Sequence, residues 1–258
     1  MAVQRIGTWV DRRGVGSDWR RWLDVGQSLG LTDVSLVVHA QDAGKRFSPF
    51  ADAKHVATVC RAYEAAGIRP HIMLWPQPVE SHAAALLAYV ADVHDAARGA
   101  LASAELDAEE QWTRSLWRLV AGKRVAAKLR AGWPKGLPLV VNGITAALPR
   151  IQPLLAIADT VIPQAYTANR VNQRSHPGDR QTVVLAAWRK AAPHARLACG
   201  LAAYDQEGLH GLPARVAMGL AFDAAAAEVD EVRYWSLAEL AGGPDAEFVR
   251  SRCQELRR

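Results

Sequence analysis

Short apolar runs alternate with longer amphipathic ones along the whole chain. The first run, Arg5 to Val10, ends at Asp11, and a loop from Arg12 to Gly16 leads into an amphipathic stretch that starts at Asp18 and is closed by Gly30. This is a strand followed by a helix. The unit recurs: Asp33 to His39 reads as a strand and about Phe50 to Ala66 as a helix stopped by Gly67, then Arg69 to Trp75 as a strand ended by Pro76 and Pro78, with a helix from about Ser81 to Arg98. The fourth strand lies in the run Ala102 to Trp112, and a helix over Gln111 to Ala131 follows with Leu116, Leu119, Val120 and Leu129 at helical spacing.

The turn Trp133-Pro134-Lys135-Gly136 returns the chain to a strand at Leu137 to Asn142, and a short helix near Pro149 to Ala158 precedes a strand from Asp159 to Tyr166. Thr167 to Asp179 is polar and turn-rich, as a binding loop or a mobile cover is. Beyond it, Thr182 to Ala192 reads as helix, Arg196 to Ala202 as strand, Pro213 to Glu228 as helix, Glu231 to Ser236 as strand and Pro244 to Leu256 as helix. Eight strands alternating with eight helices over this length predict an α/β fold of one (β/α)8 TIM-type barrel, residues 1–258 forming a single domain. A doubly wound sheet predicts the same alternation but favours a glycine-rich first turn, and Asp11-Arg12-Arg13-Gly14-Val15-Gly16 lacks G-x-G-x-x-G spacing.

The fourth strand turns acidic as it ends. Alternation puts Glu105, Asp107 and Glu109 on one face, with Leu106 and Ala108 on the other. Such a row repels itself unless its members are protonated, hydrogen-bonded or bound to a cation, so chemistry explains it better than folding does. Glu110 has the wrong parity and reads as a helix-start or surface residue. In barrels of this kind active sites sit at the C-terminal ends of the strands. Those ends carry Asp11, His39, Trp75, Asp107 with Glu109, Asn142, Gln164 with Tyr166, Tyr204, and Trp235 with Ser236. Sugar rings offer apolar C–H faces rimmed by hydroxyls, and a set of Trp platforms, carboxylates, amides and phenols suits them. A glycosidase needs an acid for the departing oxygen, and crowding Glu109 against Asp107 raises the pKa of one member. Metal-assisted hydrolysis, with His39 or His71 beside the carboxylates, is the rival, but no tight ligand spacing is present and neither a metal nor a cofactor is expected.

Composition narrows the setting. Half of the 258 residues are hydrophobic and 22% are charged, as in a globular protein. The net charge of +5 favours an anionic polymer, yet the basic residues are scattered pairs such as Arg12-Arg13 and Arg20-Arg21, without the run of a nucleic-acid arm. Cys60, Cys199 and Cys253 are odd in number and far apart, which points to reduced thiols. Met1 to Val10 lacks a basic region followed by an apolar core, and no apolar run approaches a membrane span. Cytoplasmic synthesis without a signal peptide is expected, with any extracellular target reached by a separate exit route.

With these residues in view, the chain resembles the chitinase-like family 18 glycoside hydrolases, whose fourth strand ends in D-x-x-D-x-D-x-E. Glu105-Leu106-Asp107-Ala108-Glu109 stands at that motif, with Glu105 in place of an aspartate and Ala102 at the first acidic position. Gln164-Ala165-Tyr166, Gly200 to Tyr204 and Tyr234-Trp235-Ser236-Leu237 look similar to the family's sixth, seventh and eighth strands. The segments Leu106 to Glu109 and Ile162 to Tyr166 are also similar to the family 25 muramidases, which cut peptidoglycan.

The first resemblance implies that Glu109 protonates the glycosidic oxygen, Asp107 orients the substrate's N-acetyl group as internal nucleophile and Tyr166 steadies it. The second keeps Glu109 as acid and makes Asp107 a stabiliser or nucleophile. Both imply a polysaccharide of N-acetyl amino sugars as partner, peptidoglycan or chitin-like, with Glu105, Asp11, His39, Trp75, Asn142, Gln164, Tyr204 and Trp235 as substrate-binding candidates. A basic enzyme of this type without a signal suits a phage endolysin released through a separate pore. The contrary expectation is a non-catalytic carbohydrate-binding protein on the same barrel, since a fold does not fix function.

Overall fold

A computed structural model describes residues 3–40, 47–113, 117–167, 175–204, 206, 208–242 and 245–257, with 117–119 by backbone alone. Its strands are β1 (Arg5–Val10), β2 (Asp33–Val37), β3 (Arg69–Leu74), β4 (Ser103–Ala108), β5 (Leu139–Gly143), β6 (Thr160–Pro163), β7 (Arg196–Leu197), β8 (Cys199–Ala202) and β9 (Glu231–Trp235). They form one parallel sheet in the order β7-β6-β5-β4-β3-β2-β1-β9-β8. Because β7 and β8 are two pieces of one pass, separated by Ala198, the sheet curls back on itself. Ala198 N donates to Val161 O at 2.9 Å, Ala165 N donates to Gly200 O at 2.9 Å, and Gln164 bridges to Gly200, which joins the two edges. The fold is therefore the (β/α)8 barrel, with its seventh strand split.

Helices run outside the strands: α1 (Trp19–Leu29), α2 (Ala53–Ala65), α3 (Glu80–Ala97), α4 (Glu110–Thr113), α5 (Trp117–Gly132), α6 (Leu148–Leu155), α7 (Asp179–Ala191), α8 (Ala214–Ala226), α9 (Leu237–Gly242) and α10 (Asp245–Glu255). Local chemistry sets several ends. Helix α1 stops where Gly30 adopts a left-handed conformation, and α2 starts at Ala53 rather than Phe50 because the Asp52 side chain accepts from His55 N at 2.9 Å. The helix expected over Gln111 to Ala131 is instead α4 and α5, and Leu116, residues 168–174 of the polar loop and Pro244 lie outside the described residues, as does the Leu119 side chain. Val120 is 53% exposed rather than part of the apolar face. At 3.6 residues per turn it sits about half a turn away from the buried Leu129.

Outward-pointing strand residues such as Ile6, Leu36, Ile72, Leu106 and Val141 pack under the helices in the main core. Inside the barrel lies a smaller apolar layer of Trp9, Val37, Met73, Val140, Ile162 and Ala198. Two glycines make room inside the barrel, Gly200 beside the apolar layer and Gly7 beneath it. A Cβ at Gly200 would stand 3.1 Å from the Trp9 ring, and one at Gly7 would stand 2.9 Å from Asp33 Cβ and 3.3 Å from Arg233 Cγ.

Towards the N-terminal ends of the strands the interior is ionic, unlike the branched aliphatic filling usual for such barrels. Glu231 accepts from Arg5 at 2.5 Å, Arg196 at 2.8 Å and Arg233 Nε at 2.6 Å, while Asp33 accepts from Arg69 at 2.5 Å and His71 Nε2 at 3.0 Å. His71 Nδ1 meets Ser103 Oγ at 2.6 Å, which places the imidazole between a carboxylate and a hydroxyl. Burial, reinforced by the Arg233 charge, lowers the His71 pKa to about 4.

Candidate active site

Above the ionic layer, at the C-terminal ends of the strands, a cavity of about 360 Å3 opens. Asp107 and Glu109 stand on its wall at the end of β4, two residues apart, so alternation turns both inward. The backbone there is held by Gln111 in the first turn of α4. Its side chain accepts from Glu109 N at 3.0 Å and donates to Asp107 O at 2.7 Å, while Trp112 Nε1 donates to Pro76 O at 3.1 Å and ties α4 to the end of β3.

Gln164, just beyond β6, connects the two carboxyl groups. Its Nε2 lies 3.1 Å from Asp107 Oδ1, 2.5 Å from Glu109 Oε1 and 3.4 Å from Asn142 Oδ1. An amide nitrogen has two protons to share among these three acceptors, so the trio is held as one unit. Burial raises the pKa of Asp107 well above the usual carboxylate range, and the neighbouring Glu109 raises it further. Glu109 is also raised, first by burial and then by Glu110, against the lowering hydrogen bond from Gln164. Two carboxyl groups this close and this dry favour retaining a proton between them.

Aromatic rings form much of the rest of the wall. Trp9 and Trp235 lie 6.2 Å apart between centroids at 49°, and Tyr166 meets Tyr204 edge to face at 6.3 Å. Burial, followed by the charges of Asp107 and Glu109, pushes the Tyr166 pKa well up, so the phenol keeps its proton at neutral pH and is a donor. His39 lines the cavity and stacks on Phe47 at 4.6 Å.

Of the candidate residues, Asp107, Glu109, Tyr166, His39, Trp75, Asn142, Gln164, Tyr204 and Trp235 are brought together around the cavity. Asp11 is not. It caps the 3-10 turn Arg12–Val15 and pairs with Arg13 at 2.7 Å, and these contacts outweigh burial to lower its pKa. Glu105 is fully buried beneath the cavity, where its carboxylate is occupied by Ser35, Trp9, Asn142 and Arg233. His71 belongs to the ionic layer. Trp9, Val37, Ala40 and Met73 also line the cavity, without having been singled out by strand ends. For Trp9 the signal was present, because the alternation that puts Asp11 on an inward face puts Trp9 there two residues earlier.

No protein-family model matches the chain, and no curated protein does. Solved structures do. A chitinase from Bacteroides thetaiotaomicron superposes with a TM-score of 0.69 at 10% identity, covering 99% of this chain and 96% of its own. The endo-beta-N-acetylglucosaminidase from Cordyceps militaris gives 0.64 at 12% identity over 100% of this chain and 92% of its own. The endo-1,4-beta-D-mannanase from Thermotoga petrophila gives 0.62 at 10% identity over 98% and 99%. At these identities the likeness is one of fold.

Cys60, Cys199 and Cys253 are buried free thiols. Among the described residues no group of three or more His, Cys, Asp or Glu side chains is placed to hold a metal ion, and no helix is long and apolar enough to cross a membrane.

Proposed function

We propose that the protein is a glycoside hydrolase acting on a polymer of N-acetyl amino sugars, peptidoglycan or chitin-like, with Glu109 as general acid and Asp107 as its partner. The observation that carries this reading is the single Gln164 nitrogen hydrogen-bonded to both Asp107 and Glu109 on the wall of an aromatic-lined cavity. Two oxygens sharing one nitrogen at 3.1 and 2.5 Å stand close together. Inverting pairs are separated by roughly 6.5–9.5 Å to admit a water, and retaining pairs by about 5–5.5 Å. The shared nitrogen favours retention.

In the proposed reaction Glu109 gives its proton to the glycosidic oxygen as the bond from that oxygen to C1 breaks. The substrate's N-acetyl carbonyl oxygen closes on C1, with Asp107 accepting from the acetamido N–H and Tyr166 donating to the group. Water then attacks C1, gives its proton to Glu109 and reopens the ring, restoring both groups. The raised pKa of Glu109 supports its protonated start, and a single proton shared by the pair lets Asp107 accept while Glu109 holds it. Trp75 and Trp235, which are only partly buried, supply faces on which sugar rings stack.

The chitinase and endo-beta-N-acetylglucosaminidase likenesses accord with an N-acetylated substrate. A muramidase route, with Asp107 as nucleophile or stabiliser, uses the same pair. The reading is tested by incubating the protein with purified peptidoglycan and with chitin oligomers. New reducing ends of retained configuration are expected from at least one, and their absence from both overturns the proposal.

A further inference from the structure

Glu105 has a density of contacts that its exclusion from the cavity leaves unexplained. Its Oε1 accepts from Ser35 Oγ at 2.7 Å and forms the ion pair with Arg233. Its Oε2 accepts from Trp9 Nε1 at 3.0 Å and from Asn142 Nδ2 at 3.3 Å. Both of those donors line the cavity. Asn142 in turn accepts from Gln164 Nε2, the atom that holds Asp107 and Glu109. A continuous chain of polar contacts thus runs from the ionic layer to the carboxyl pair.

We propose that the Glu105–Arg233 ion pair is a positioning device for the carboxyl site: Arg233 supplies the charge that keeps Glu105 as an acceptor inside the barrel, and Glu105 sets Trp9, Asn142 and, through Asn142, Gln164. A buried carboxylate without a counter-charge is strongly disfavoured, which gives Arg233 its part. Arg233 is 2% exposed and Glu105 is 0% exposed, so water cannot replace either partner. A misplacement of about 1 Å in a positioned group is enough to slow a reaction by up to about a hundredfold. As a contribution to turnover, the inference rests on the glycosidase reading; as a structural relay it stands apart from it.

Two charge-matched double variants separate positioning from mere support of the fold. Glu105→Gln with Arg233→Met keeps an acceptor for Trp9 and Asn142, whereas Glu105→Met with Arg233→Met removes it, and neither leaves a buried unpaired charge. The readouts are the side-chain NMR resonances of the Trp9 indole N–H and the Gln164 amide, together with kcat and KM on whichever polymer the wild type cleaves. The methionine pair should shift both resonances relative to the glutamine pair, and its kcat should be lower by about tenfold or more with KM within about threefold.

Superimposable resonances in the two variants overturn the relay, whether or not the wild type is active. Moving resonances in a protein that cleaves neither polymer uphold the relay and remove the glycosidase reading. Should the methionine pair fail to fold, Asn142→Leu cuts the same chain higher up. It should move the Gln164 amide and leave the Trp9 indole in place, and an unmoved Gln164 amide overturns the proposal.

Discussion

Gln164 Nε2 lies 2.5 Å from Glu109 Oε1, and this contact opposes the burial that raises the Glu109 pKa. The same nitrogen opposes the rise at Asp107. Replacing Gln164 with Leu removes both opposing bonds, so both carboxyl groups should hold their protons to higher pH. The basic limb of the kcat/KM profile, which reports loss of the acid's proton, should move upward, and kcat should fall by about ten- to a hundredfold as the pair loses its fixed geometry. An unmoved basic limb would contradict the assignment of Glu109 as acid.

Glu110 raises the Glu109 pKa from an exposed position at the start of α4. Glu110→Gln should therefore shift the basic limb to lower pH. The size should be no more than about half a unit, because an exposed charge is screened by solvent and salt. Raising the ionic strength of the wild type should produce a shift in the same direction, and a pH–rate series at two salt concentrations checks both.

The ionic layer makes stability depend on pH through His71. Its pKa falls from 6.5 to about 4 in the fold because the imidazole is buried neutral beside Arg233. The unfolded chain takes up the proton first on acidification. The contribution of neutral His71 is thus fully present above pH 6.5 and is lost as pH falls from 6.5 to about 4. The loss amounts to up to about 3 kcal/mol. His71→Asn lacks this dependence, so the difference in Tm between wild type and variant should narrow steadily over that window. A constant difference would show that His71 is not buried neutral.

Trp235 faces Trp9 across the cavity wall and is read as a stacking platform. Trp235→Ala should raise KM by about tenfold while changing kcat less, as the loss of an aromatic contact made equally in ground and transition states does. Titration calorimetry with an unreactive oligosaccharide should show the same loss of affinity.

The barrel was legible because glycine and proline punctuate each unit and because strand and helix periods differ. The acidic face of β4 was legible for the same reason, since alternation alone groups Glu105, Asp107 and Glu109. What it could not separate was depth. Glu105 is spoken for by Arg233, and the two are 128 positions apart in sequence, so the ion pair has no local signature. Asp11 looked like a site residue from its place at a strand end, but its carboxylate folds back onto Arg13 while Trp9, one step deeper on the same face, reaches the cavity. The split of the seventh strand at Ala198 follows from closure: Ala198 bonds to Val161, whereas Cys199 to Ala202 pair with β9. Strand propensity alone contains no such change of partner.

Glu109→Gln tests the central claim most directly, because the amide keeps the shape of the acid and loses its proton. On the chitin oligomer or peptidoglycan fragment that the wild type cleaves, kcat should fall by about a thousandfold. Binding of the same sugar, measured by calorimetry, should stay within about threefold. A variant that turns over within about tenfold of the wild type would contradict the account, since proton donation is placed on Glu109.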